Sequence, residues 1–194
     1  VWPSPRPSPR RGEGDIDSAW YCSRPMRLFG CLSLIILAGC TRAAPASSRG
    51  DAPLDFTLPT YPSKQPFSLA SERGHVVMLD VWATWCEPCR ESLPQYQALA
   101  GKYAARGLRL YALNVDGDAA VPAEIPKFIT ETKLSLPILL DTDAKLSEET
   151  LKVKVMPTAL LIDRRGVVRH VHEGFESKSL AEVVGHLESL LAEP

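Results

Sequence analysis

Val76-Val77-Met78-Leu79-Asp80-Val81-Trp82-Ala83-Thr84-Trp85-Cys86-Glu87-Pro88-Cys89 is the stretch on which the reading of this chain turns. Its first seven residues are apolar except for Asp80, the pattern of a strand buried on both faces. Beyond the two cysteines, Leu93, Tyr96, Ala100 and Tyr103 recur at helical spacing, and Gly107 stops the helix. Residues 108–115 then form a second mostly apolar run. Strand, helix and strand in that order predict a βαβ unit whose helix starts at the cysteine pair.

Working outward, Phe56, Leu58, Phe67 and Leu69 alternate with polar residues around Pro59, Pro62 and Pro66, which predicts an N-terminal strand or hairpin at a sheet edge. Downstream, residues 117–136 carry a helical stretch around Ile125, Phe128 and Ile129, followed by a short strand at 138–140 and a helix at 144–151. Strands at 158–162 and 167–172 are joined by Asp163-Arg164-Arg165-Gly166, a turn signal for an antiparallel hairpin. Leu180, Val183, Val184, Leu187, Leu190 and Leu191 make a final helical stripe, and Ser179 with Glu182 predicts a capping box at its start. The fold class is α/β, with a mixed central sheet flanked by helices.

The chain has 194 residues, enough for one ordinary domain and a processed leader. A net charge of −1 with both signs interspersed gives no reason to expect nucleic acid as partner. Residues 1–25, rich in Pro, Ser and Arg, read as a disordered leader or as an upstream stretch that is not translated. Residues 26–39 read as a signal peptide, with Arg27 ahead of an apolar run too short to span a bilayer. That run ends in Leu37-Ala38-Gly39-Cys40, which resembles the bacterial lipobox, so Cys40 is the expected lipidation site and would become the first mature residue. Residues 40–50 read as the lipidated tether and 51–194 as one domain, expected to be monomeric and to face the periplasm from a lipid anchor in the cell envelope.

Of the cysteines at 22, 31, 40, 86 and 89, only the last two lie in that domain, and a bridge between them would close too small a loop to stabilise much. Chemistry is the better explanation. At a helix N-terminus, unpaired N–H groups and the helix dipole favour a thiolate. Cys86 is therefore the expected nucleophile, attacking a substrate disulfide, and Cys89, one turn on, the resolving thiol. Pro88 suits the first helical turn because its missing N–H has no partner to lose there. The competing reading is half of a zinc site, which would need two histidines, and His170 and His172 read more simply as exposed hairpin residues. His75 and His186 read as ordinary surface histidines, so no metal is expected.

The segment from Val76 to Pro94 resembles the active site of thioredoxins, and the lipobox, the Glu87-Pro88 dipeptide and the central insertion resemble the TlpA/ResA group of membrane-tethered thiol reductases. The resemblance covers essentially all of 51–194 and implies a thioredoxin-like fold, with a disulfide-bonding cysteine pair and no cofactor. It implies that Pro157, in Val155-Met156-Pro157-Thr158, is a cis proline opposite the cysteines. By the same resemblance Met156 offers backbone to an extended substrate, and Pro94 kinks the active-site helix. Asp80, six residues before Cys86, matches the buried acid that exchanges a proton with the resolving cysteine; a buried, unpaired carboxyl should have a raised pKa, which suits that task. Ser92 stands where the group often carries an acid, and its neighbour Glu91 points about 100° away around the helix.

Trp85 is expected to flank the site as substrate-facing surface, and Trp82 to be core. Glu87 either tunes the neighbouring thiolate or is a solvated charge. The expected activity is reduction of protein disulfides in the envelope, with the cysteines of apocytochrome c as one candidate substrate and a membrane thiol electron donor as partner. Two alternatives stand beside it: a redox-silent peptide-binding module, and a peroxiredoxin-like peroxidase for which Thr84 would serve but the paired cysteines would not.

Overall fold

The computed structural model describes residues 52–194. Residues 1–51, with the stretches read as leader, signal peptide and tether and the expected lipidation site Cys40, lie outside the described residues. Among the described residues no helix is long and apolar enough to cross a membrane.

The strand predicted to be central is central. β3 (Val76–Trp82) is buried along its whole length. It pairs in parallel with β4 (Leu108–Asn114) and antiparallel with β6 (Thr158–Ile162). Between β3 and β4 lies α1 (Glu87–Tyr103), which runs into a 3₁₀ turn at Ala104–Arg106 closed by Gly107 at φ 96°, a conformation that suits a residue without Cβ. The central insertion supplies α2 (Val121–Thr132) and β5 (Ile138–Leu140), and β5 lies parallel to β4. The N-terminal hairpin, β1 (Thr57–Tyr61) with β2 (Pro66–Ser68), joins through antiparallel β1–β5 pairing. β7 (Val168–Glu173) completes the sheet as the partner of β6, giving the order β2-β1-β5-β4-β3-β6-β7. The terminal helix is α3 (Leu180–Ala192).

Period-two alternation sends the side chains of β3 to two different cores. Val76, Met78 and Trp82 join Leu93, Tyr96 and Tyr103 of α1, Ile125 and Phe128 of α2, and Val183 and Leu187 of α3. Val77, Leu79 and Val81 face the other side, where Leu69, Leu146 and Leu151 cover the sheet. The three long helices therefore share one face. The other is closed by short pieces, a 3₁₀ turn at Leu69–Glu72 and a single wide π turn at Lys145–Thr150, where the sequence pattern had suggested an α-helix. Asp141 explains that turn's start, since its buried carboxylate accepts from the N–H groups of Leu146 and Ser147 at 3.2 and 2.8 Å.

The expected capping box at α3 does not form. Ser179 is already helical in conformation, its hydroxyl donates to the carbonyl of Glu176 at 2.7 Å, and its N–H is taken by the same carbonyl. Glu182 is thereby left to face elsewhere.

Candidate active site

Cys86 is the N-cap of α1, extended at φ −83° and ψ 101°, with Pro88 in the first turn. Its sulfur is bonded to that of Cys89, their Cα atoms 5.3 Å apart. Cys89 is fully buried and Cys86 is 5 % exposed. A helix N-terminus beneath the first sulfur supplies the partial positive charge that stabilises a thiolate when the bridge opens.

The short loop between β3 and Cys86 is held from below. Asp116, buried just past the end of β4, accepts from the Thr84 N–H at 2.9 Å and from the Thr84 hydroxyl at 3.1 Å. Asn114 donates to the same carboxylate at 2.7 Å and accepts from the Asp116 N–H. The sequence reading passed over this pair. Its signal is the polar-apolar-polar triplet Asn114-Val115-Asp116 at the end of an apolar run, two buried polar groups that must find partners.

Asp80 lies in β3, opposite Ala112 of β4 and Ala159 of β6, on the face that carries Cys89 and α1. It is completely buried, and neither carboxyl oxygen has a hydrogen-bond partner. Burial alone pushes its pKa well above the ordinary carboxylate value. Tyr96 of α1 is held up too, first by burial and then by the Asp80 charge, which places the two within electrostatic reach of each other.

Around this centre the remaining predicted residues take distinct places. Trp85 is 72 % exposed and Val155 48 %, the two large apolar side chains standing out from the described surface. Together with Val115, Ala144, Lys154 and Met156 they line a cleft of about 230 Å³. The Met156–Pro157 peptide is cis, and the Thr158 hydroxyl donates to the Val155 carbonyl beneath it. A second cis bond, Tyr61–Pro62, lies in the N-terminal hairpin and was not foreseen. Glu87 is almost fully exposed, 3.6 Å from Arg90, which binds Glu131 at 2.8 Å and stacks over Phe128. Ser92 is buried and its hydroxyl donates to the Cys89 carbonyl, whereas Glu91 points outward and accepts from Ser177 at 3.0 Å.

The histidines differ from the sequence reading. His75 meets Arg109 at 3.2 Å. His170, His172 and His186 are half-buried and gathered together, where they had read as separate surface residues. The reason is topological: β7 and α3 come together only in three dimensions.

Residues 49–171 match the family model described as AhpC/TSA. The chain is 33% identical to the thioredoxin-like protein YneN of Bacillus subtilis over 66% of this chain and 73% of that protein. It is 30% identical to the thiol-disulfide oxidoreductase ResA of Geobacillus thermodenitrificans over 84% of this chain and 90% of the relative. Among solved structures it superimposes on a Chlorobium tepidum protein assigned as thiol:disulfide interchange protein DsbE with a TM-score of 0.67, at 32% identity, covering 76% of this chain and all of that one. StoA of Bacillus subtilis follows at a TM-score of 0.56 and 25% identity, covering 69% of this chain and 98% of the other.

Proposed function

The chain belongs to the AhpC/TSA family and, within it, to the ResA-like thiol-disulfide oxidoreductases, and from that premise we propose that it reduces disulfides of extended protein substrates through Cys86 and Cys89. The observation that carries the proposal is the junction of β3 and α1, where a helix-capping cysteine is bonded to a buried one on the face that also holds an unpartnered acid.

In the dithiol form, the Cys86 thiolate attacks one sulfur of the substrate disulfide. A mixed disulfide forms, and the other substrate sulfur leaves as a thiolate that takes up a proton. The Cys89 thiol then loses its proton and attacks the Cys86 sulfur. This closes the Cys86–Cys89 bridge and releases the second substrate sulfur, so two electrons pass from protein to substrate. Asp80, whose carboxylate is made a stronger base by burial, is the group we assign to take the Cys89 proton in its ionised form, becoming the neutral acid, and to return it when the pair is re-reduced. We assign Trp85, Glu87, Pro88, Met156 and Pro157 to the substrate path; Trp85 and Met156 line one cleft, and the backbone at Met156 is suited to pairing with an extended segment.

Return to the dithiol requires a thiol donor, which we place in the membrane. Cys40 is the proposed lipid anchor that would keep the domain, as a monomer, in the envelope, and reduction of apocytochrome c cysteines is one use of such a protein. A redox-silent binding module would have no use for the paired cysteines. A peroxidase would use a single peroxidatic cysteine shortly after a threonine, a pattern that Thr84 fits and the Cys86-Glu87-Pro88-Cys89 pair does not.

The test is the reduction potential of the pair in glutathione or dithiothreitol buffers. We expect a value near that of thioredoxin, about −270 mV, and a value near about −120 mV would make the protein an oxidase. Cys89→Ser should trap the mixed disulfide with substrate protein, and Cys86→Ser should not. Hydroperoxide turnover at a rate comparable to disulfide reduction would overturn the assignment.

A further inference from the structure

A second group of chemistry-bearing side chains lies apart from the cysteines, at the β7 edge of the sheet. β7 is an edge strand, and His170 and His172 alternate onto the same face of it, opposite Leu161 and Ala159 of β6, both of which belong to the helix-side core. On α3, Glu182 and His186 are four residues apart and share one face of the helix. The two elements meet so that His186 Nδ1 is 3.2 Å from His172 Nε2, and one ligand atom from each of His172, Glu182 and His186 lies within 4.8 Å of the others. The ring of His170 stacks on that of His186, centroids 3.9 Å apart and planes within 7°, which fixes the orientation of His186.

We propose that His172, Glu182 and His186 form a binding site for a borderline divalent metal ion of the Zn²⁺ type, separate from the redox centre. Two imidazoles and a carboxylate are a donor set that zinc takes, with the fourth tetrahedral position left for water. The spacing fits the ion. Ligand atoms bonded at zinc distances around a tetrahedral ion lie about 3.3 Å from one another, and the imidazole pair already stands at 3.2 Å. Glu182 is exposed and free of the capping box that its sequence position suggested. The position at an edge strand leaves the site open to solvent, and His170 behind His186 supplies the packing that holds a ligand ring in place. A lone imidazole–imidazole hydrogen bond would account for His172 and His186 but not for the acid that closes the third corner. Sequence alone could not place the site, because its ligands sit on a strand and a helix that turn toward each other only after the chain reverses between Glu173 and Leu180.

The experiment is calorimetric titration of Zn²⁺ into the purified, untagged, metal-stripped protein with the Cys86–Cys89 bridge oxidised and Cys22, Cys31 and Cys40 alkylated, so that no thiolate can hold the ion. The expected result is one ion per chain and a raised melting temperature, with Glu182→Gln and His172→Gln each weakening binding about tenfold or more and His75→Ala leaving it unchanged. Glu182 is exposed, so Glu182→Gln carries the test even where a histidine variant fails to fold. Co²⁺ in place of Zn²⁺ should give the visible absorption of a tetrahedral site, lost in Glu182→Gln. Absence of heat and of any melting shift at about a hundredfold excess of Zn²⁺ would overturn the proposal, as would binding of equal strength in all the variants.

Discussion

Asp80 is the residue at which folding and the proposed chemistry pull in opposite directions. A carboxyl with no hydrogen-bond partner in a seven-residue buried strand is costly once ionised, and burial holds its pKa well above the ordinary value. The linkage sign follows. Below the unfolded-state pKa of about 3.9 the acid is neutral in both states and costs no ionisation. As pH rises through the folded-state pKa, the unfolded chain is already ionised and the folded one resists, so stability is lost. Asp80→Asn should therefore unfold at higher urea than the parent at neutral pH, by more than about 1 kcal/mol, and the gain should shrink toward zero near pH 4. The same variant should slow closure of the Cys86–Cys89 bridge at neutral pH, read by quenching the mixed disulfide of a stopped reaction. A stabilised variant with unchanged resolution kinetics would leave Asp80 without a catalytic role.

At the scale of the elements, the loop before Cys86 is set by β4 as much as by the strand it follows. Asp116 satisfies both the N–H and the hydroxyl of Thr84, and with Asn114 it ties the ends of the two parallel strands together. Asp116→Ala strands three donors at a buried position. It should cost about 2–3 kcal/mol in urea unfolding and speed hydrogen exchange at the Thr84 amide, while Asp116→Asn should cost less. What the sequence disclosed at this scale tracks the range of the interaction. The run from Val76 to Trp82 announced a buried strand, and Asp163-Arg164-Arg165-Gly166 announced its hairpin, because both signals are local. The Ser179–Glu182 pair had the spacing of a capping box, yet α3 begins with Ser179 already helical and its hydroxyl bound to Glu176. The residues at 144–151 had helical character, but Asp141 captures the N–H groups at the start of that turn. Thr84 and Asp116 are 32 residues apart and His172 and His186 are 14 apart, so no local period could have paired them.

Across the whole molecule, two buried acids give stability opposite dependences on pH. Asp163 begins the β6–β7 turn. Burial would push its carboxyl up, but the N–H groups of Val167 and Arg165 and the side chains of Arg165 and Arg169 outweigh that and hold it below the ordinary range. Arg169 extends the tie to Glu193 at the end of α3, so the turn, the edge strand and the terminal helix share one charge network. A lowered folded-state pKa contributes stability that is complete above the unfolded value of about 3.9 and is lost as pH falls through the folded one. Asp163 therefore contributes to the loss of stability in acid, alongside the half-buried His170 and His172, whose protonation burial resists, and Asp80 contributes to the loss as pH rises. Asp163→Asn should lower stability at neutral pH by about 1–2 kcal/mol and flatten the fall below pH 4, leaving the loss at higher pH unchanged. Asp80 pairs with Ala159, four residues before Asp163, which separates the two acids by about 13 Å along the strands. At that distance their effects should add to within about 0.5 kcal/mol. Urea unfolding of the two single variants and the double variant across pH 3 to 9 measures this, and a double variant departing from additivity by more than that would mean that the acids are coupled through β6.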